Sequence, residues 1–207
     1  MQTATAHLIS SESPVLGPKK AKASAKIARP ISWKEFMGRY LRREDRFKYE
    51  WVNGLVEKTE RNMDQSQFFI LSNLRGLFSF LVFSKKISGS LEAEIDSFFL
   101  DAVHRRPDVS YFTEDQKIGM KNGLPQVPEF VIEIVSNNDQ MNRVYLKMQN
   151  YRDAGVRVAW MIFPKLEEVH VFYGEGLMDM KVCKGPGICS AGSVLPDFEM
   201  TAADIFK

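Results

Sequence analysis

The chain has 207 residues, 44% hydrophobic and 26% charged, which is enough apolar material for one well-formed core and short for two full domains. Its formal net charge of +2 is concentrated in an N-terminal stretch with five cations (Lys19, Lys20, Lys22, Lys26, Arg29) and one acid (Glu12). The remaining body therefore carries about −2, which excludes a protein that grips nucleic acid by bulk charge alone.

Residues 1–30 hold few large apolar side chains, follow no helical or strand period, and contain prolines at 14, 18 and 30; a disordered basic tail is expected there. No apolar run of secretory length follows the start, so a cytoplasmic location is expected. The two cysteines, Cys183 and Cys189, read as reduced thiols, and the three scattered histidines form no zinc spacing with them. The folded domain is expected over residues 31–207.

That domain opens at Ser32-Trp33-Lys34-Glu35, a capping box for a short helix through about Leu41. Asn53-Gly54, between Phe47–Val52 and Leu55–Lys58, is a strong hairpin signal because both residues tolerate positive φ. The segment from Asp64 to about Lys85 is too densely apolar for a helix with one wet face, and predicts a helix that is buried or shared with a partner. Arg75 interrupts it well short of the ~20 apolar residues that a bilayer requires, so no membrane span is expected.

A half-buried strand is predicted from Ile87 to Leu100, with Glu92, Glu94 and Asp96 on its wet face, followed by a turn over residues 101–106. Pro107–Phe112 reads as a strand and 113–128 as a polar loop. Phe130-Val131-Ile132-Glu133-Ile134-Val135 has the continuous apolar character of a central strand, broken by one acid. A helix from about Asp139 to Asp153 aligns Arg143, Lys147 and Tyr151 on one face, and Gly155 ends it. Val156–Phe163 and Glu167–Tyr173 predict a hairpin at the sheet edge, and Ala202–Phe206 a last helical turn. Strands interleaved with helices imply an α/β fold with a mixed central sheet flanked by helices.

Glu133 is the most informative residue, because a carboxylate in a buried strand costs several kcal/mol unless it is paired, hydrogen-bonded or bound to metal. The bland reading is a buried ion pair with Arg or Lys. If the strand carrying Asp108 neighbours that of Glu133, both acids meet at one spot, with Glu50 as a third, and a hard cation such as Mg²⁺ fits them. Such a cation polarises a phosphodiester, while a lysine positions or deprotonates the nucleophile. The usual position for that lysine, two residues after the acid, is Val135 here.

Tyr49-Glu50-Trp51-Val52-Asn53-Gly54, Arg106-Pro107-Asp108-Val109, Pro128 through Ser136, Lys147 with Tyr151, Ala154-Gly155-Val156 and Val194-Leu195-Pro196-Asp197-Phe198 together resemble the bacterial Uma-two family of putative restriction endonucleases, within the PD-(D/E)XK nuclease superfamily. The resemblance runs from about Ile31 to Phe206. It implies a restriction-endonuclease-like fold and a metal-dependent endonuclease acting on DNA. It implies Mg²⁺ or Mn²⁺ held by Asp108, Glu133 and Glu50, and a catalytic lysine migrated to the following helix at Lys147. Arg143 and Tyr151 support that site. Two departures stand out: family members usually carry a histidine where this chain reads Asp64-Gln65-Ser66-Gln67, and often an acid at the position of Arg143. These departures favour an alternative, a nuclease-fold binding or regulatory module without the chemistry, associated with a mobile element. The residues leave open RNA, single-stranded or branched DNA as substrates. The apolar Phe68–Phe83 helix and the 156–173 hairpin predict a homodimer.

Overall fold

The computed structural model describes residues 29–60, 65–136 and 140–207; residues 1–28 of the expected tail and the expected helix starts at Asp64 and Asp139 lie outside them. Ser32 accepts the Glu35 amide at 3.2 Å and starts helix α1 (Trp33–Phe36), which continues as a π-helical turn over Met37–Leu41. The Glu35 carboxylate pairs with Arg29 and Arg39. Strands β1 (Phe47–Val52) and β2 (Leu55–Glu60) form the expected hairpin, with Asn53 and Gly54 at φ 49° and 83°, the positive pair that a tight turn demands.

Helix α2 (Gln65–Phe83) is followed by β3 (Ser90–Ala93) and β4 (Ser97–Leu100). One strand was expected here; Glu94, at φ 50°, breaks the run, and the halves join different sheets. The stretch expected as a turn contains β5 (Val103–Arg105), and β6 (Val109–Phe112) comes next. The segment expected as a loop contains helix α3 (Glu114–Lys121), begun by a full capping box between Thr113 and Gln116. Then come β7 (Phe130–Ile134), α4 (Met141–Asp153), β8 (Val158–Phe163), β9 (Glu168–Tyr173), β10 (Asp179–Lys184), β11 (Ile188–Ala191), β12 (Leu195–Thr201) and α5 (Ala202–Ile205).

The strands form a four-stranded sheet ordered β2-β1-β5-β4, a six-stranded sheet ordered β10-β9-β8-β7-β6-β3, and a β11-β12 pair. In the six-stranded sheet β7 and β8 run parallel, joined by α4, and the other pairs are antiparallel. The sheet is therefore mixed, as expected. The β8-β9 hairpin is not at the edge: β10 adds beyond β9, and β8, between β7 and β9 with a core on each face, is almost wholly buried.

Alternation along β7 and β8 builds two cores. Phe130, Ile132, Ile134, Trp160 and Ile162 pack with Ile70, Leu74, Phe78 and Leu81 of α2. Val131, Ala159 and Met161 face Val144, Met148 and Tyr151 of α4. Only the inner face of α2 is covered; Phe68, Phe69, Phe80, Val82 and Phe83 are exposed. A third cluster gathers Phe36, Tyr49 and Trp51 beside Trp33 and Phe98.

Candidate active site

Glu133 lies on the α4 face of β7, opposite in direction to Ile132 and Ile134. Val109 pairs with Ile132, and one further step of that antiparallel register sets Asp108 opposite Glu133, on the same face. Helix α4 returns over this face. Lys147 donates to Glu133 Oε2 at 3.0 Å, and the Tyr151 hydroxyl donates to Oε1 of the same carboxylate. Arg143, one turn earlier, is exposed and borders the cleft of about 460 Å³ that Asp108, Glu133 and Lys147 also line.

The β1-β2 hairpin supplies the other wall. Alternation turns Tyr49 and Trp51 into the aromatic cluster and sends Lys48 and Glu50 the other way. Lys48, only 6% exposed, donates to Asp108 Oδ1 at 2.7 Å, while Asp108 Oδ2 accepts the Ile134 amide at 2.7 Å. Glu50 is buried among donors: the Arg106 amide at 2.8 Å, Arg105 at 3.2 Å and Lys147 at 3.5 Å. Arg105 also pairs with Glu57, which stands across the hairpin from Glu50, and donates to Asn150 on α4 at 2.7 and 3.0 Å.

Charge in this site is set by a contest between burial and neighbours. Burial raises Glu133, and the nearby Asp108 and Glu50 carboxylates add to it, so despite Lys147 its carboxyl is held above the ordinary range. Burial would also raise Glu50, but Lys147 and Arg105 outweigh it and hold the group at about 2. Asp108 is likewise lowered, because Lys48 and Lys147 overcome its burial. Burial opposes the charge on both lysines and loses, to Asp108 at Lys48 and to Glu133 at Lys147, so both ammonium groups persist above the ordinary lysine range.

The structure thus brings Asp108, Glu133, Lys147 and Tyr151 together. Glu50, expected as a third metal-facing acid, has its oxygens engaged by Arg105, the Arg106 amide and Lys147, just as those of Asp108 are engaged by Lys48 and the Ile134 amide and those of Glu133 by Lys147 and Tyr151. Among the described residues, no group of three or more His, Cys, Asp and Glu gathers as a metal-holding set. Sequence reasoning missed Lys48, Arg105, Glu57 and Asn150. The signal for Lys48 was its period-two spacing from Glu50; Arg105 had none, lying in a stretch read as a turn.

A mixed sheet that sets two carboxylates on neighbouring strands, with a helix-borne lysine over them, defines an α/β protein of nuclease-like fold. A crystal structure of a putative nuclease belonging to DUF820 from Anabaena variabilis ATCC 29413 is similar, with a TM-score of 0.70 and 17% identity, over 86% of this chain and 98% of that one. This likeness shows the fold. The chain belongs to the Uma2 family, described as putative restriction endonuclease, whose sequence profile matches residues 33–203. No curated protein matches the chain.

Restriction endonuclease-like families are usually metal-dependent. Asp108 and Glu133 offer hard oxygens on one face, the donor type that a small divalent cation such as Mg²⁺ takes one or two of before completing its shell with water, and such a cation would take the place of Lys48 and Lys147 at them.

Proposed function

We propose that this protein is a divalent-metal-dependent endonuclease acting on DNA, with Asp108 and Glu133 as the metal ligands and Lys147 as the catalytic lysine. The observation that carries the reading is the convergence of Lys147 on Glu133, at 3.0 Å, in the cleft that Asp108 also lines. A bound Mg²⁺ or Mn²⁺ supplies Lewis acidity to a phosphodiester and acidifies a water. Lys147 orients the attacking water and balances charge on the reacting phosphate. Tyr151 fixes the Glu133 carboxylate through its hydroxyl. Glu50 supports the site from behind by anchoring Lys147 and Arg105. Arg143, exposed at the cleft, meets the substrate's phosphate backbone.

One observation favours a second reading, a nuclease-fold binding module: both site carboxylates already hold lysines of their own chain. A cleavage assay on duplex DNA, single-stranded DNA and RNA, with Mg²⁺ or Mn²⁺ and then EDTA, separates the two. Duplex cleavage that EDTA abolishes is expected. Retained duplex binding without cleavage under either metal supports the module, and cleavage confined to RNA overturns the substrate assignment.

A further inference from the structure

The outer face of α2 has a symmetry that its sequence position does not require. At about 3.6 residues per turn, Phe68, Ser72, Gly76, Ser79 and Phe83 fall in one stripe, with Phe69 and Phe80 beside it, and all seven are exposed. Phe68, Phe69, Phe80 and Phe83 are 59%, 51%, 61% and 88% exposed. Phenylalanines therefore stand at both ends, small residues and the exposed Arg75 at its border in the middle, and a Cβ added at Gly76 would meet nothing within 4 Å. Read backwards from Phe83 the stripe repeats itself at its outer positions, Phe68 corresponding to Phe83 and Ser72 to Ser79, while at the centre Gly76 corresponds to the exposed Arg75, whose long side chain has room over the Gly76 of a second copy.

We infer that α2 is the self-association surface of this protein, and that two copies pair their α2 helices antiparallel about a twofold axis close to Gly76. In that arrangement the end phenylalanines of one helix cover those of the other, and Ser72, Gly76 and Ser79 let the backbones approach at the crossing. A twofold interface must be self-complementary, which this palindrome supplies. A buried phenylalanine removes ~150–250 Å² from water, so the still exposed 59%, 51%, 61% and 88% of the four phenylalanines contribute ~500 Å² per copy. Two copies then reach ~1,000 Å², the threshold for a specific interface, before Val82 and the small residues are counted. The N-terminal 28 residues contain no aromatic side chain to match those rings. Helix α2 is also long and apolar enough to cross a membrane, but its inner face is already packed into the core. Through Gln67 and Leu71 the same helix borders the cleft, so this pairing fixes two clefts about one axis.

The test uses the full chain. Sedimentation equilibrium at micromolar concentration is expected to show dimer, and Phe83→Glu to weaken it roughly tenfold or more; circular dichroism checks that the variant is folded. A mixture of Ser72→Cys and Ser79→Cys proteins is expected to form the mixed disulfide under mild oxidation. Neither should link efficiently to itself, because the seven-residue offset separates like positions by ~10 Å, beyond disulfide reach. The two native thiols are buried and give a low background. A monomer, a dimer indifferent to Phe83→Glu, or each cysteine variant cross-linking to itself as in a parallel pair would overturn the inference. So would binding of the monomer to phosphatidylcholine vesicles in place of self-association.

Discussion

Replacing Lys48 with methionine keeps most of the side-chain volume and removes the charge 2.7 Å from Asp108. Losing one partner of a buried ion pair costs ~3–5 kcal/mol, because the other charge is stranded. Asp108 keeps the Ile134 amide, and its side chain is 24% exposed, so water screens part of the loss; ~2–3 kcal/mol is expected here. At ~2–4 °C per kcal/mol for a domain of this size, the melting temperature should fall by ~4–12 °C. Differential scanning calorimetry measures this, and a cycle with Asp108→Asn isolates the pair, with a coupling of ~1–3 kcal/mol expected. Adding Mn²⁺ should raise the melting temperature of Lys48→Met more than that of wild type, because Asp108 no longer has to give up its lysine to bind a cation. A melting temperature within ~2 °C of wild type, or an additive cycle, would refute the claim that Lys48 neutralises Asp108.

Lys147→Ala is expected to lower DNA cleavage by at least ~100-fold, with Lys147→Arg restoring little because a guanidinium rarely gives up a proton; gel assays with Mg²⁺ measure both. Glu50, held at about 2 in the folded chain against 4.5 ordinarily, contributes ~3 kcal/mol that is fully present above pH ~4.5 and lost as pH falls towards 2. Urea melts from pH 7 to 2 should therefore show a smaller acid loss in Glu50→Gln, from a lower starting stability. Glu133 has the opposite sign: its raised carboxyl favours the proton in the fold, so its contribution weakens stability as pH rises through the carboxylate range. Thr113→Ala removes the α3 cap and should cost ~1 kcal/mol in chemical denaturation without changing cleavage.

The features legible in the sequence were those written locally. Asn53-Gly54 announced its hairpin through backbone conformation, and Glu133 stood out because its neighbours were all apolar. Thr113-x-x-Gln116 was equally local and announced α3, but the surrounding Lys, Gly and Pro masked it. Other features depended on pairing across the chain. Lys48 looks like an ordinary strand lysine until Asp108, sixty residues away, takes its ammonium. Arg105 is similarly undefined until Glu50, Glu57 and Asn150 close around it. No local pattern distinguishes a wet strand charge from one buried by a distant element. The split of β3 from β4 depends on one left-handed residue, Glu94, whose type gives weak warning.

The parallel β7-β8 pair with its α4 crossover also divides the site by order of assembly. Glu133 meets its partners only 14 and 18 residues along the chain, whereas Lys48 and Asp108 are 60 apart and Arg105 and Glu50 are 55 apart. Contacts of short separation form with little loop-closure entropy, so the β7-α4-β8 unit is expected to assemble early and the β1-β2 hairpin to dock on it later. During synthesis the hairpin emerges first and can close against β5, Arg105 and Asp108 before β7 is made, but Lys147 and Glu133 come later. A nascent chain ending before β7 therefore carries the Lys48–Asp108 and Arg105–Glu50 pairs but only one wall of the cleft. Pulsed hydrogen exchange should find β7 and α4 protected before β1 and β2.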